Sequence, residues 1–322
     1  MNNRVHLVNF NLRLAEKYPF DSKPYLYADY FELVALFNHD KIGVGEMLDR
    51  LKDEGILRMD DDGYMRDIAD IKDEEEANVR RVFALIQQRS CVFGELYPFQ
   101  YHNGFLEVHS SLTNPQKLYI FLLLASNLNL FSSYLQDITS EFEFVSKKAL
   151  TNYLPKFAVI KGFGKKSDFS GYAIDKVRQL AKLMNVETDE TFLSTVPKNS
   201  TQDLGLDIVG WMPLGDGIGN YISVFCQCAC GKDWPQKIAE TRRYDNFLKV
   251  YLSKINHAIF IPYSLANYEK SIFYEHHIFG PSILVFERYR ILSLIKEDTT
   301  LFNMLQSKSF VDYCIDYHED VV

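Results

Sequence analysis

Three things this chain has little of narrow its possibilities before any motif is considered. Cysteine is sparse: five in 322 residues, namely Cys91, Cys226, Cys228, Cys230 and Cys314. The odd number, with three crowded into one short run, argues against a disulfide framework. Long apolar runs are missing. The most apolar stretch, Leu118 to Phe131, is interrupted by Ser126, Asn127 and Asn129, so it is too short and too polar for a bilayer and reads as a buried helix. The opening Met-Asn-Asn-Arg-Val-His leads into no signal-peptide pattern. The expected setting is a reducing cytoplasm, with no membrane. Excess positive charge is missing as well. Thirty-five Lys and Arg stand against 43 Asp and Glu, for a net charge of -8. A free-standing nucleic-acid binder carries a basic face, because phosphate contacts dominate its affinity. Here either the basic residues are local or a partner supplies the grip.

What is present is a folding composition. Hydrophobic residues make up 47% and charged residues 24%, and 24 Phe and 20 Tyr supply large areas to bury. The length suits one large domain or two ordinary ones. No internal repeat or low-complexity tract is visible.

The first part reads as mainly helical. Tyr30 to Phe37 and Gly45 to Glu54 carry apolar residues at helical spacing, and Gly55 closes the second stretch. These helices, Ile56-Leu57 and a turn at Asp60 to Gly63 suit either a winged-helix module or an ordinary helical subdomain. Its acidic runs, Asp60 to Asp62 and Asp73 to Glu76, favour a protein partner or solvation over DNA reading. Asn114 is placed to cap a helix from Pro115. Further helices are expected over Gln136 to Leu154, closed by Pro155, and over Tyr172 to Met184. Then the pattern changes. Leu206 to Trp211 and Tyr221 to Cys228 are β-branched, aromatic and short, with Gly215, Gly217 and Gly219 between them, the signature of a hairpin. Lys237 to Asn256 returns to helical spacing, His257 to Pro262 and Ser282 to Phe286 read as strands, and Ile291 to Tyr317 reads as helical. The expected fold class is α/β (α+β): a helical N-terminal region, then a mixed sheet flanked by helices.

The chemistry concentrates between Asp203 and Lys237. Asp207 sits at the start of an apolar strand, where an unpaired buried acid is costly. A hairpin brings it near Gln227 on the next strand. Oxygen donors from adjacent strands suit Mg²⁺ or Mn²⁺, with waters and a substrate phosphate completing the shell. Asp203 also reads as part of the turn before the strand. Lys237, Arg242 and Arg243 form a local basic cluster, either a DNA-phosphate contact or an exposed helix face. The run Cys226-x-Cys228-x-Cys230 lacks the sharp knuckle and fourth ligand of a zinc site. Strand alternation puts its thiols on one face, pointing away from Gln227, as small apolar groups against a helix. Lys161-Gly-Phe-Gly-Lys165 lacks the spacing of a Walker A loop, Gly215 to Gly219 lacks a dinucleotide-binding context, and His276-His277 is no metalloprotease signature.

Over residues 136 to 290 the pattern resembles the PD-(D/E)XK nuclease superfamily, in the restriction-endonuclease-like branch where glutamine replaces the second acid. That family has a helix with Glu, a strand with Asp, a strand with (Glu/Gln)-x-Lys, and a helix packing across the site. Glu143, within Phe142-Glu143…Ala149-Leu150…Tyr153-Leu154-Pro155, matches the helix acid, although Glu141 is as well placed by eye. Asp207 matches the strand acid and Gln227 the glutamine. Lys237 to Asn256 stands where the following helix belongs. Where the lysine belongs this chain has Ala229, and the nearest lysine is Lys232, beyond Gly231. With the helical spacing on either side, the resemblance gives a nuclease-like domain over 136–290 between a mainly helical interaction domain over 1–135 and a helical tail over 291–322. It implies Asp207, Gln227 and Glu143 as ligands of Mg²⁺ or Mn²⁺, Lys232 stabilising developing charge, and DNA as substrate. It further implies the effector role of a bacterial anti-phage defence or restriction complex. The acidic balance adds a protein partner, such as an ATPase subunit. A catalytically inactive nuclease-fold subunit that binds DNA or a partner is the alternative, and Ala229 is its support.

Overall fold

A computed structural model describes residues 12–14, 16–38, 40–57, 68–131, 134–201, 203–251, 253–280 and 282–317. The turn expected at Asp60 to Gly63 lies outside them. The chain is mixed α/β and divides into two compact units: Met1–Ser132 with Tyr263–His276 and Thr299–Val322, and Ser133–Pro262 with His277–Asp298. The tail expected over 291–322 is therefore no unit of its own. The helix Arg288–Ile295 falls in the second unit and Lys308–Asp316 in the first.

The first unit is helical, with Pro24–Asn38, Val44–Asp53, Ile68–Phe93 and Asn114–Ala125. Gly55 follows the second of these with φ +71°, the left-handed conformation in which glycine ends helices. The helix at 114 is capped one residue earlier than expected. Thr113 accepts from the Gln116 N–H, Gln116 answers with its Oε1 on the Thr113 N–H, and Asn114 is the first helical residue. Pro24–Asn38 is buried nearly all round, so its acids need partners inside the core. Arg89 supplies them, with Nη1 at 2.8 Å from Asp29 and 2.7 Å from Glu32. Tyr97, Tyr119 and Ser126 donate hydroxyls to the same carboxylates. Deleting Arg89 alone would strand two buried charges, at about 3–5 kcal/mol.

The second unit holds a five-stranded sheet. Its elements are α1 (Leu135–Tyr153), β1 (Val159–Gly162), α2 (Ala173–Leu183), β2 (Ile208–Trp211), β3 (Ser223–Cys228), β4 (Ile255–Phe260), β5 (Ile283–Phe286) and α3 (Arg288–Ile295). The strands lie side by side in chain order. β1, β2 and β3 form an antiparallel meander, and β4 and β5 continue it in parallel. Ile208 pairs with Cys226 and Gly210 with Val224, while Val209 pairs with Phe225. One face, with Val209, Trp211 and Phe225, joins the core of α2, Tyr244 and Phe247. The other face carries α1. A β-carbon on Gly210 would stand 2.7 Å from Leu154, so only glycine allows the helix this close.

The crossover from β3 to β4 differs from expectation. Lys237 to Asn256 is not one helix. It is a series of single turns, Trp234–Lys237, Glu240–Arg243 and Tyr244–Phe247, followed by Leu248–Lys249, which pairs with Glu187–Thr188. Short turns that bury Thr241, Tyr244, Phe247 and Leu248 show the same three-to-four spacing as a long helix. Tertiary contact breaks the segment up: His257 on β4 holds Thr241 through Nδ1 (3.0 Å) and Asp245 through Nε2 (3.1 Å).

Candidate active site

Asp207 stands just before β2, where the regular pairing ends. Ile208 pairs with Cys226, and the Asp207 N–H donates to the Cys226 carbonyl at 2.9 Å. That bond is out of step with the ladder, so strand alternation does not extend to Asp207. Simple alternation would put Asp207 beside Gln227. Instead its Oδ2 accepts the Cys228 N–H at 2.7 Å, and its Oδ1 faces the turn after β1.

That turn, Lys161-Gly-Phe-Gly-Lys165-Lys166, organises the site with three successive N–H groups. Phe163 and Gly164 donate to the Asp207 carbonyl at 2.7 and 3.1 Å, and Lys165 donates to Glu143 Oε2 at 3.0 Å. Asp168 closes it, accepting from the Gly162 N–H and from Lys147 of α1. Gly164 is where the two acids meet. A β-carbon there would lie 2.7 Å from Asp207 Oδ1 and 2.7 Å from Glu143 Oε2, so these oxygens are at most twice that distance apart.

Their electrostatics are strained. Asp207 is 4% exposed, and burial, then the charges of Glu143 and Asp203, push its carboxyl well above the ordinary range, with Lys237 pulling back. Burial, then Asp203, pushes Glu143 up to about 7, against the Lys165 N–H and the charges of Lys165 and Lys166. A buried and a half-buried carboxylate of raised pKa facing one point either share a proton or take a cation. Among the described residues no three His, Cys, Asp or Glu side chains are gathered to hold a metal by themselves. A hard divalent cation would therefore take Glu143 and Asp207 and complete its shell with backbone, water and substrate oxygens.

These shifts set a pH dependence. A carboxyl raised from 4.5 to about 7 holds its proton more tightly folded than unfolded. Through that window the folded state carries the extra proton, so stability falls as pH rises. Without divalent cations, the melting temperature is expected to be higher at pH 5.5 than at pH 8. Glu143→Gln should flatten the slope, and an unchanged slope would contradict the electrostatics.

Gln227 leaves β3 on the face opposite Cys226 and Cys228, and its Oε1 is buried without a hydrogen-bond partner. The carboxylates act instead on the cysteines. Asp207 raises the Cys226 thiol, and both acids raise those of Cys228 and Cys230, in each case after burial, the larger cause. Lys232 is exposed in the turn after Gly231. Lys237 bears on Asp207 while paired with Asp233 at 3.6 Å. Arg242 and Arg243 are exposed on the crossover, where Arg242 bears on His257. Asp203 Oδ1 caps its own turn through the Gly205 N–H.

Sequence reasoning passed over Gly164, Lys165 and Lys166, because their motif fails as a Walker A loop. A signal was available: from Phe144 to Ser167 the chain carries six lysines and no acid, a local basic run inside an acidic protein. No protein-family model, curated protein or solved structure matches this chain.

Proposed function

We propose that the Glu143–Asp207 pair is the centre of a Mg²⁺- or Mn²⁺-dependent DNA endonuclease. The observation that carries this reading is the convergence on Gly164 of a buried carboxylate, Asp207, and a half-buried one, Glu143, both of raised pKa. The order of elements supports it as well. A helix bears Glu143, a strand begins behind Asp207, and an antiparallel strand and a parallel one follow. This is the order the resemblance to PD-(D/E)XK nucleases implies, except that the crossover is a chain of short turns. Glu143 and Asp207 would hold the cation; Gln227, on the other face, is outside that set. A bound divalent cation polarises a phosphoryl oxygen and lowers the pKa of water. The chain's acidity suits an effector subunit of a defence or restriction complex, to which a partner such as an ATPase delivers DNA in a reducing cytoplasm. No described helix is long and apolar enough to cross a membrane.

Supercoiled plasmid incubated with the protein is expected to be nicked or linearised in Mg²⁺ or Mn²⁺ and left intact in EDTA, with Asp207→Ala inactive. Ala229 in the lysine's place, with Lys232 exposed, favours a second reading: a nuclease-fold subunit that binds without cutting. Intact plasmid in every metal, alone and with the partner, would select it.

A further inference from the structure

We infer that Lys165 and Lys166 are the phosphate grip of this site, binding the backbone of duplex DNA next to the carboxylate pair. The inference deepens the nuclease reading and rests on it for the choice of ligand.

The lysines of the basic run divide by what they already do. Lys147 is committed to Asp168 at 2.7 Å, and Lys148 lies over the ring of Phe144. Lys165 and Lys166 are exposed, and neither forms an ion pair with a described acid. The Nζ of Lys165 donates only to the Thr139 hydroxyl, one helical turn before Glu143 on the same side of α1. Thr139 holds the Lys165 ammonium beside the candidate centre, and Lys166 is the next residue of the same turn, each with hydrogen-bonding capacity to spare.

Their backbone is fixed. The Lys165 N–H is bonded to Glu143, and Phe163 and Gly164 are bonded to Asp207. An anion gripped by these lysines is thereby registered against the carboxylates, whereas a grip on Arg242 or Arg243 would hold DNA at the crossover. A phosphate next to an acid pair needs cations beside it to offset the repulsion. The local run supplies them on a chain whose net charge is -8.

The test is fluorescence anisotropy of a labelled DNA duplex with the full chain in Ca²⁺, titrated at several salt concentrations. Lys165→Gln with Lys166→Gln is expected to weaken binding about tenfold or more and to lower the salt slope by roughly 1.8, as two lost phosphate contacts require. Arginine at both positions should restore binding. Lys182→Gln with Lys198→Gln, the same charge loss at exposed sites elsewhere, should stay within about twofold of wild type. All variants should melt like the wild type. If the 165/166 pair binds no worse than the 182/198 pair, or if the wild type binds no DNA, the inference is overturned. A wild type that binds but never cleaves overturns the nuclease reading and leaves the grip standing. One that cleaves while the 165/166 variant binds normally does the reverse.

Discussion

Asp207→Asn is expected to make the metal-free protein more stable while abolishing cation-dependent cleavage. The two effects share one cause. In the wild type a carboxyl group sits 4% exposed beside Glu143 and Asp203, with the Cys228 N–H donating to it. Asparagine keeps an oxygen for that N–H and removes the repulsion. Its amide can donate to Glu143, whose Oε2 faces the same point. The gain should be on the order of 1–2 kcal/mol in EDTA, read by urea denaturation at pH 8. Wild type in Mn²⁺ at a hundred times its Kd should gain about 2.7 kcal/mol, and the variant should gain nothing. An acid kept only for structure would behave oppositely: the variant would lose stability and any response to Mn²⁺ would persist.

Gly164→Ala is expected to disable the site through a single methyl group. Gly164 lies outside the left-handed region, so alanine meets no backbone penalty. The cost is steric: the methyl would stand 2.7 Å from both carboxylates. Glu143 can swing away, since its end is flexible, but Asp207 is short, buried and fixed through its carbonyl and Oδ2. Displacing the pair by about 1 Å should cost at least about a hundredfold in cleavage rate. Overpacking should cost roughly 1–3 kcal/mol in stability. Plasmid cleavage and a denaturation curve check both. Alanine at Gly45, where a β-carbon would touch nothing within 4 Å, is the control expected to leave cleavage unchanged.

Much of the fold was legible because it rests on local periodicity. The helix α1, the hairpin of β2 and β3 and the strands β4 and β5 lie within two residues of where apolar spacing and glycines place them. The crossover was not legible, since three short turns and one long helix bury the same spacing. In the site, Asp207 stood out as an acid inside an apolar run, and Glu143 was reached through the resemblance. Gln227 illustrates the limit. Alternation pairs it with Asp207, but the regular pairing of β2 ends at Ile208 and the acid turns toward Gly164 and Glu143, a break in the ladder that leaves no mark in sequence. The turn from Lys161 to Lys166 was hidden for another reason. Its role comes from meeting Glu143 and Asp207 in space, and no spacing along the chain encodes that meeting.

The most direct test of the carboxylate pair is calorimetric titration of Mn²⁺ into the metal-free protein. One site per chain is expected, lost in both Glu143→Gln and Asp207→Asn and retained in Gln227→Ala. Binding that survives either carboxylate substitution, or that disappears with Gln227→Ala while both carboxylate variants still bind, would contradict a centre built on Glu143 and Asp207.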